Sequence, residues 1–275
     1  MEKNNQEYLC KYMTFEQFLD LIELERLYLT NITIWDDCYE GYEIEKFQEY
    51  NLSDTKNKLS KESLEKLKLW NEVKKKLYYA QSWTKLIDES DAMWRIYSPQ
   101  KTGVRIKVKK DNIISAILEL IDSEKDIYLD PCSGDIEYEK PIDYEAFRLT
   151  DSEPKETSIK AYNISEMPLI YSKRKAFIHE EEYRFSIKLN LSKIVAQVCE
   201  KVTDDGGGAE NMKNLYNYDY PKVIHYKMEN DLISEVLLDP RAPKYFEEAF
   251  IEYCNKRKFT DKNIVYKKSD LYTKE

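Results

Sequence analysis

The chain has 275 residues, of which 42% are hydrophobic and 13% aromatic, so it can bury a sizeable core. Its formal net charge of −9 argues against a protein that coats nucleic acid through an overall basic surface. The five widely spaced cysteines, with no C-x-x-C pair, and the two histidines favour free thiols in a reducing cytosol over disulfides or a zinc site.

The first half of the chain is predicted to alternate short strands and helices. Thr14, with Gln17 three residues later, is typical of a capping box at a helix start. A Lys/Glu-rich stretch at about residues 53–77 is predicted to be a helical insertion whose lysines form a solvated face. Alternating apolar residues predict a strand over residues 103–108.

The same periodicities predict the remaining elements. Strands are expected at residues 8–13, 27–30, 78–83, 136–138, 180–189, 233–238 and 263–266. Helices are expected at residues 15–25, 91–97, 112–121 and 244–258, with a partly helical stretch at 165–175 and loops at 143–165 and 204–208. This order predicts a single α+β domain over residues 1–275, with a mixed, mainly antiparallel central sheet flanked by helices.

The N-terminus lacks the apolar stretch of a secretory signal. No run approaches the roughly 18 apolar residues that a transmembrane helix needs. The sequence therefore predicts a cytoplasmic protein with no membrane partner.

The most conspicuous motif is Glu180-x-Glu182-x-Arg184, on the predicted strand 180–189. Residues two apart share one strand face, so these side chains are expected in a row about 6 to 7 Å apart, with His179 on the opposite side. One carboxylate can stabilise a cationic transition state while the other activates a nucleophile, and Arg184 can bind a carboxylate or phosphate. The simpler alternative is a solvated strand face carrying an ion pair.

An acidic loop is the second candidate. Asp36, Asp37 and Glu40 follow a predicted strand together with two aromatic residues, and they can bind a polar ligand or form a solvated turn. Grouped with Glu180 and Glu182, they would also suit a magnesium ion. A metal-dependent nuclease of a defence system is therefore one alternative function.

Aromatic and basic residues supply weaker candidates. Ser82-Trp83 ends a predicted strand, and Trp94 and Tyr97 lie three apart on the next helix, where they can stack on a ring or pack in the core. For Trp94, core packing is the preferred interpretation. Lys11-Tyr12, on the first strand, can meet a phosphate or a ribose of a ligand.

The order and spacing of these motifs resemble the bacterial domain-of-unknown-function family 2971 (DUF2971). The motifs are, in chain order, Tyr8–Tyr12, Phe15–Leu19, Leu27–Thr30, Trp35-Asp36-Asp37-x-x-Glu40, Ser82-Trp83, Ser90-x-x-Met93-Trp94-x-x-Tyr97, Gly103-Val104-x-Ile106, Lys175-x-Phe177-x-x-Glu180-x-Glu182-x-Arg184 and the strand-turn 233–240. The chain departs from the family at Phe177, where tryptophan is frequent, and at Asp36, where asparagine is commoner.

The layout of that family is similar to a diverged ADP-ribosyltransferase. The resemblance implies a basic or aromatic first-strand residue at the nicotinamide nucleotide, a central serine or tyrosine, and a late glutamate at the ribose. In this chain those positions are Lys11 and Tyr12, then Ser82 or Tyr97, and then Glu180 or Glu182. Lys11 stands where that superfamily usually has histidine or arginine.

The resemblance therefore implies an ADP-ribosyltransferase-like enzyme that uses NAD or a similar nucleotide. It is expected to act on nucleic acid or protein as a toxin or antiphage effector, with a partner protein in a defence system. The alternative outside enzymology is a non-catalytic regulatory module that binds a nucleotide or a partner protein.

Overall fold

Strands and helices alternate along the chain. The computed structural model describes residues 7–35, 37, 61–138, 170–198 and 208–273. Within these ranges the strands are β1 Tyr8–Met13, β2 Arg26–Asn31, β3 Tyr78–Thr84, β4 Val104–Lys109, β5 Tyr128–Asp135, β6 Glu137–Tyr138, β7 Ser172–Lys173, β8 Glu182–Leu189, β9 Val223–Lys227, β10 Ile233–Leu238 and β11 Val265–Lys268. The α-helices are α1 Phe15–Leu24, α2 Lys61–Lys75, α3 Asp91–Tyr97, α4 Lys110–Ser123, α5 Leu191–Val198, α6 Gly208–Asn217 and α7 Lys244–Lys256, and 3₁₀ helices lie at Ile32–Ile34, Lys175–Glu180 and Asn230–Leu232.

Side-chain caps start two of the helices as the sequence predicts. The Thr14 hydroxyl accepts the Gln17 N–H at 3.3 Å, and the Gln17 side chain accepts the Thr14 N–H at 3.0 Å, which completes the capping box of α1. The Ser90 hydroxyl accepts the Met93 N–H at 3.4 Å at the start of α3. This cap fixes the first turn of the helix that carries Tyr97.

The central sheet has nine strands and is antiparallel, apart from the parallel pair β10–β11. It thus confirms the predicted α+β class with a mainly antiparallel sheet. β8 pairs with β3 over seven residues and occupies one of its edges. β1 and β2 therefore share the other edge of β3. There β1 pairs with β3 only at Cys10↔Thr84, and β2 pairs with β3 only at Thr30↔Ala80 and Asn31↔Tyr79. We call this divergence of β1 and β2 along β3 the fork.

The main core fills the side of the sheet that carries most of the helices. Phe18 of α1, Ile113 of α4 and Phe250 of α7 are fully buried there against apolar strand residues such as Ile106. Burial of each such side chain contributes roughly 1.5–3 kcal/mol. On the other side, α3 covers a smaller cluster that includes Tyr12.

The predicted strand 180–189 is wrong at its first two residues. Glu180 ends a 3₁₀ helix, and Glu181 adopts a left-handed conformation with φ 41°. The Glu181 carbonyl then accepts the Lys85 N–H at 3.0 Å, so the strand begins at Glu182. His179 does not line the cavity with Glu180, as predicted, but it is exposed on the 3₁₀ helix and does not lie on the opposite face of a strand.

Five described strands and α-helices were not predicted: β5, β7, β9, α5 and α6. β5 contains Pro131 and Gly134 and pairs only with β8 in the sheet, which explains the weak strand signal, since proline and glycine are confined to edges and irregular strands. The predicted loop at 143–165, the first five residues of the stretch 165–175 and the first part of the insertion at 53–77 lie outside the described residues. In the rest of the stretch expected to be partly helical, Ser172–Lys173 forms β7. Within the described part of the chain, no helix has the length and apolar character needed to cross a membrane.

Candidate functional site

A cavity of about 100 Å³ lies at the fork. Its polar wall includes Lys11 from β1, Ser82 from β3, Tyr97 from α3, Glu180 at the end of the 3₁₀ helix and Glu182 at the start of β8. The structure thus brings together side chains from three parts of the chain that the sequence singled out separately.

Glu182 is the most strongly held carboxylate of the site. It is 3% exposed, and it accepts four hydrogen bonds: from the Ser82 hydroxyl, from Nε (2.7 Å) and Nη2 (2.5 Å) of Arg184, and from Nζ of Lys173 (3.0 Å). Burial disfavours its charged form, but Arg184, Lys173 and Ser82 outweigh burial and lower the pKa of Glu182 to about 2. A carboxylate can accept about four hydrogen bonds, so the four protein donors leave Glu182 little capacity to accept a further one from a ligand.

Glu180 is as enclosed as Glu182 but less engaged. It is 5% exposed, and its carboxylate accepts one hydrogen bond from the Tyr97 hydroxyl at 3.0 Å and one from Lys173 at 2.8 Å. About two of its acceptor positions are therefore unused. Since Glu180 lines the cavity, it can accept hydrogen bonds from a bound molecule.

Arg184 is fully buried and stands behind Glu182. Besides its bonds to Glu182, its Nη1 donates to the Ile170 carbonyl at 2.5 Å, and its guanidinium lies 4.6 Å from the centre of the Trp35 ring. The predicted shared face of Glu182 and Arg184 is confirmed by their contact. The alternative of a solvated strand face is wrong, because both side chains are buried, Glu182 being 3% exposed and Arg184 fully buried.

Lys11 spans the fork. Its ammonium group donates to the Ser82 carbonyl at 2.8 Å and lies 5.7 Å from the centre of the Trp83 ring. Burial lowers the pKa of Lys11 to about 8, and the nearby charge of Glu182 opposes this effect. Lys11 therefore takes the place of ladder hydrogen bonds that β1 and β3 do not form beyond Cys10↔Thr84.

Three of the aromatic candidates line the cavity, and the fourth is buried behind it. Tyr12 and Trp83 line the cavity, and the Tyr12 ring lies 6.4 Å from the Tyr97 ring in a stacked arrangement. Trp94 is fully buried, packs edge-to-face on Tyr12 at 4.8 Å and donates its indole N–H to Glu89 at 2.9 Å. Trp94 is therefore a core residue that supports Tyr12, which confirms the preferred interpretation and removes Trp94 from direct ligand contact.

Asp37 is the one carboxylate of the acidic loop that the structure describes, and it lies outside the cavity. Asp37 forms an ion pair with Arg174 at 3.0 and 3.1 Å and does not line the cavity. Asp36 and Glu40 lie outside the described residues. In the described ranges, no group of three or more histidine, cysteine, aspartate or glutamate side chains could hold a metal ion.

Sequence reasoning missed two residues that contact the glutamates. Lys173 bonds both carboxylates, and the Tyr138 hydroxyl accepts the Glu182 N–H at 2.9 Å. Both residues lie on the small two-stranded sheet β6–β7. No spacing rule connects them with Glu180 or Glu182, because the contact depends on where the small sheet packs.

Comparison with known families supports the resemblance over about a third of the chain. Residues 93–185 match the family model described as "Protein of unknown function (DUF2971)". Comparisons with the curated proteins and with the solved structures gave no match. The matched segment includes Tyr97, Glu180, Glu182 and Arg184, whereas Lys11 precedes it.

Proposed function

We propose that this chain, whose residues 93–185 match the DUF2971 family model, is an ADP-ribosyltransferase-like enzyme that cleaves NAD at the fork cavity. One observation carries the proposal. Glu180, a buried carboxylate with unused acceptor positions, faces the same small cavity as the Lys11 ammonium group and the Ser82 hydroxyl.

The chemistry of NAD cleavage suits a pair of fixed carboxylates. When the bond between ribose and nicotinamide breaks, the ribose carbon acquires positive charge, which a nearby carboxylate stabilises. Glu182 is held in its charged form by Arg184 and Lys173 and supplies a permanent negative charge. Glu180 keeps the capacity to accept a hydrogen bond from a ribose hydroxyl or from the incoming nucleophile.

The size of the cavity limits what it can enclose. A cavity of about 150 Å³ accommodates benzene, whereas pockets for whole drug-sized ligands occupy about 300–1,000 Å³. The cavity of about 100 Å³ is smaller than both, so it encloses only a small part of NAD, beside the stacked rings of Tyr12 and Tyr97, and the rest of the molecule would lie outside it. Lys11, which makes one of the three hydrogen bonds its ammonium group can donate, is suited to bind an oxygen of that part.

The acceptor of the ADP-ribose is proposed to be a nucleic acid or a protein, as for a toxin or an antiphage effector that works with a partner protein. This part of the proposal is supported by the resemblance alone. Growth of a bacterium that expresses the wild type, compared with a Glu180→Gln variant, tests it. Equal growth with equal expression would contradict a toxin.

The central test measures NAD binding and the transfer of labelled ADP-ribose by purified protein. Glu180→Gln is expected to lower transfer by about 100-fold or more, because the amide carries no charge to stabilise the ribose cation. Glu181→Gln is the matched control: Glu181 lies between the two glutamates but is exposed, so transfer should be unchanged. A folded wild-type protein that does not bind NAD would overturn the proposal.

A non-catalytic nucleotide-binding module is the second candidate. It is favoured by the hydrogen bonds that Glu182 accepts from Ser82, Arg184 and Lys173, because a carboxylate bound in this way is also typical of a purely structural ion-pair network. This candidate predicts that NAD or a related nucleotide binds without turnover and that Glu180→Gln weakens binding only.

A further inference from the structure

The small sheet β6–β7 delivers a buried cation to the site. The side chain of Lys173 is 8% exposed, and its ammonium group donates to Glu180 at 2.8 Å and to Glu182 at 3.0 Å. It also lies 4.6 Å from the centre of the Phe177 ring, whose face favours a positive charge. One ammonium group thus ties together the end of the 3₁₀ helix and the start of β8.

The need for such a cation follows from the closeness of the two carboxylates. When two carboxylates share a buried site, one of them normally takes up a proton, because like charges repel strongly in a low dielectric. Several groups face the pair: Arg184 contacts Glu182, Tyr97 donates to Glu180, and Lys11 lies across the cavity. Lys173 differs from these groups in bonding both carboxylates at once.

We propose that Lys173 is a positioning residue that holds the Glu180 and Glu182 carboxylates together, oriented toward the fork cavity, and keeps Glu182 charged. The charge state of the site then depends on the docking of β7, an element separate from the central sheet. The positioning of the pair follows from the contacts alone. The consequence for ADP-ribose transfer rests on the proposed function.

The direct test is a titration of the glutamate side-chain carboxyls by ¹³C NMR. In Lys173→Met, the midpoint of the Glu182 titration should rise by about one pH unit or more, since an opposite charge at this distance lowers a carboxyl pKa by about 1–3 units. Lys173→Arg should retain most of the wild-type behaviour. Lys175→Met is the matched control, because Lys175 is an exposed lysine of the same segment. An unchanged midpoint in a folded Lys173→Met protein would overturn the proposal.

A measurement on the wild type covers the case in which Lys173→Met does not fold. The ammonium protons of Lys173 should exchange with water at least tenfold more slowly than those of Lys175, because they are held by two carboxylates. Equal exchange rates would refute the bridge. If the protein transfers ADP-ribose, the pH below which transfer is lost should be higher in Lys173→Met than in the wild type. A raised Glu182 midpoint in a protein without any transfer activity would support the role of Lys173 and contradict the proposed enzyme.

Discussion

Replacement of Glu182 by glutamine should change both the stability of the protein and its dependence on pH. In the folded protein the pKa of Glu182 is lowered from 4.5 to about 2, despite burial, by Arg184, Lys173 and Ser82. A lowering of this size corresponds to about 3 kcal/mol of stabilisation by the charged form. The variant also leaves the fully buried Arg184 without its carboxylate, and loss of one partner of a buried pair costs about 3–5 kcal/mol.

The pH window follows from the direction of the shift. Because the folded-state pKa is the lower one, the contribution of Glu182 is complete above the unfolded pKa of 4.5 and is lost as the pH falls toward 2. About 1 kcal/mol of it disappears between pH 7 and pH 3.5. Glutamine does not ionise, so the free energy of unfolding of the variant should lack this loss. Over the same pH interval it should therefore fall less than that of the wild type, and the difference should equal the lost contribution.

Urea unfolding followed by circular dichroism at several pH values measures this difference. At pH 7 the variant should be less stable by about 3 kcal/mol, and the gap should narrow as the pH is lowered. Glu181→Gln serves as the control, because an exposed carboxylate contributes little. A gap that stays constant from pH 7 to pH 3.5 would refute the idea that Glu182 is held in its charged form.

Two further predictions concern the fork and its surroundings. Because burial lowers the pKa of Lys11, the NMR signal of its ε-carbon should titrate with a midpoint near 8. The stability of the wild type relative to Lys11→Met should then rise as the pH increases from 8 to 10.5. A titration midpoint near 10.5 would contradict this prediction. Gly103→Ala should cost about 1–3 kcal/mol in thermal unfolding, because the added Cβ would lie 2.8 Å from the Ser98 side chain and 2.9 Å from the Met13 carbonyl oxygen. A melting curve identical to that of the wild type would show that the neighbouring backbone yields.

Local signals in the sequence predicted the elements that depend on neighbours in the chain. The capping box of Thr14 and Gln17 and the Ser90 cap follow from side-chain chemistry within one helical turn. β1 and β10 were predicted with the bounds that the structure shows. The apolar alternation of residues 103–108 also corresponds to a buried strand, although Arg105 on its other face is buried as well.

The parts of the site that escaped prediction depend on long-range packing. Glu180 was assigned to the strand because strand periodicity cannot reveal a left-handed residue such as Glu181, whose conformation is stabilised by a bond to the distant Lys85. Burial of Glu182 and Arg184 depends on a small sheet that the sequence did not predict in full. Lys173 carried no signal, because its two partners are set by the docking of β7.

The fork gives the protein a seam along which the central sheet can change its width. Since β1 joins β3 at the single pair Cys10↔Thr84, the strip formed by β11, β10, β4 and β1 can pivot there while every other strand ladder stays intact. Opening the seam would break the Lys11–Ser82 bond, which contributes about 1.5–3 kcal/mol at most. Substitutions in α7, which contacts β11 of that strip and does not line the cavity, would therefore alter which ligands enter.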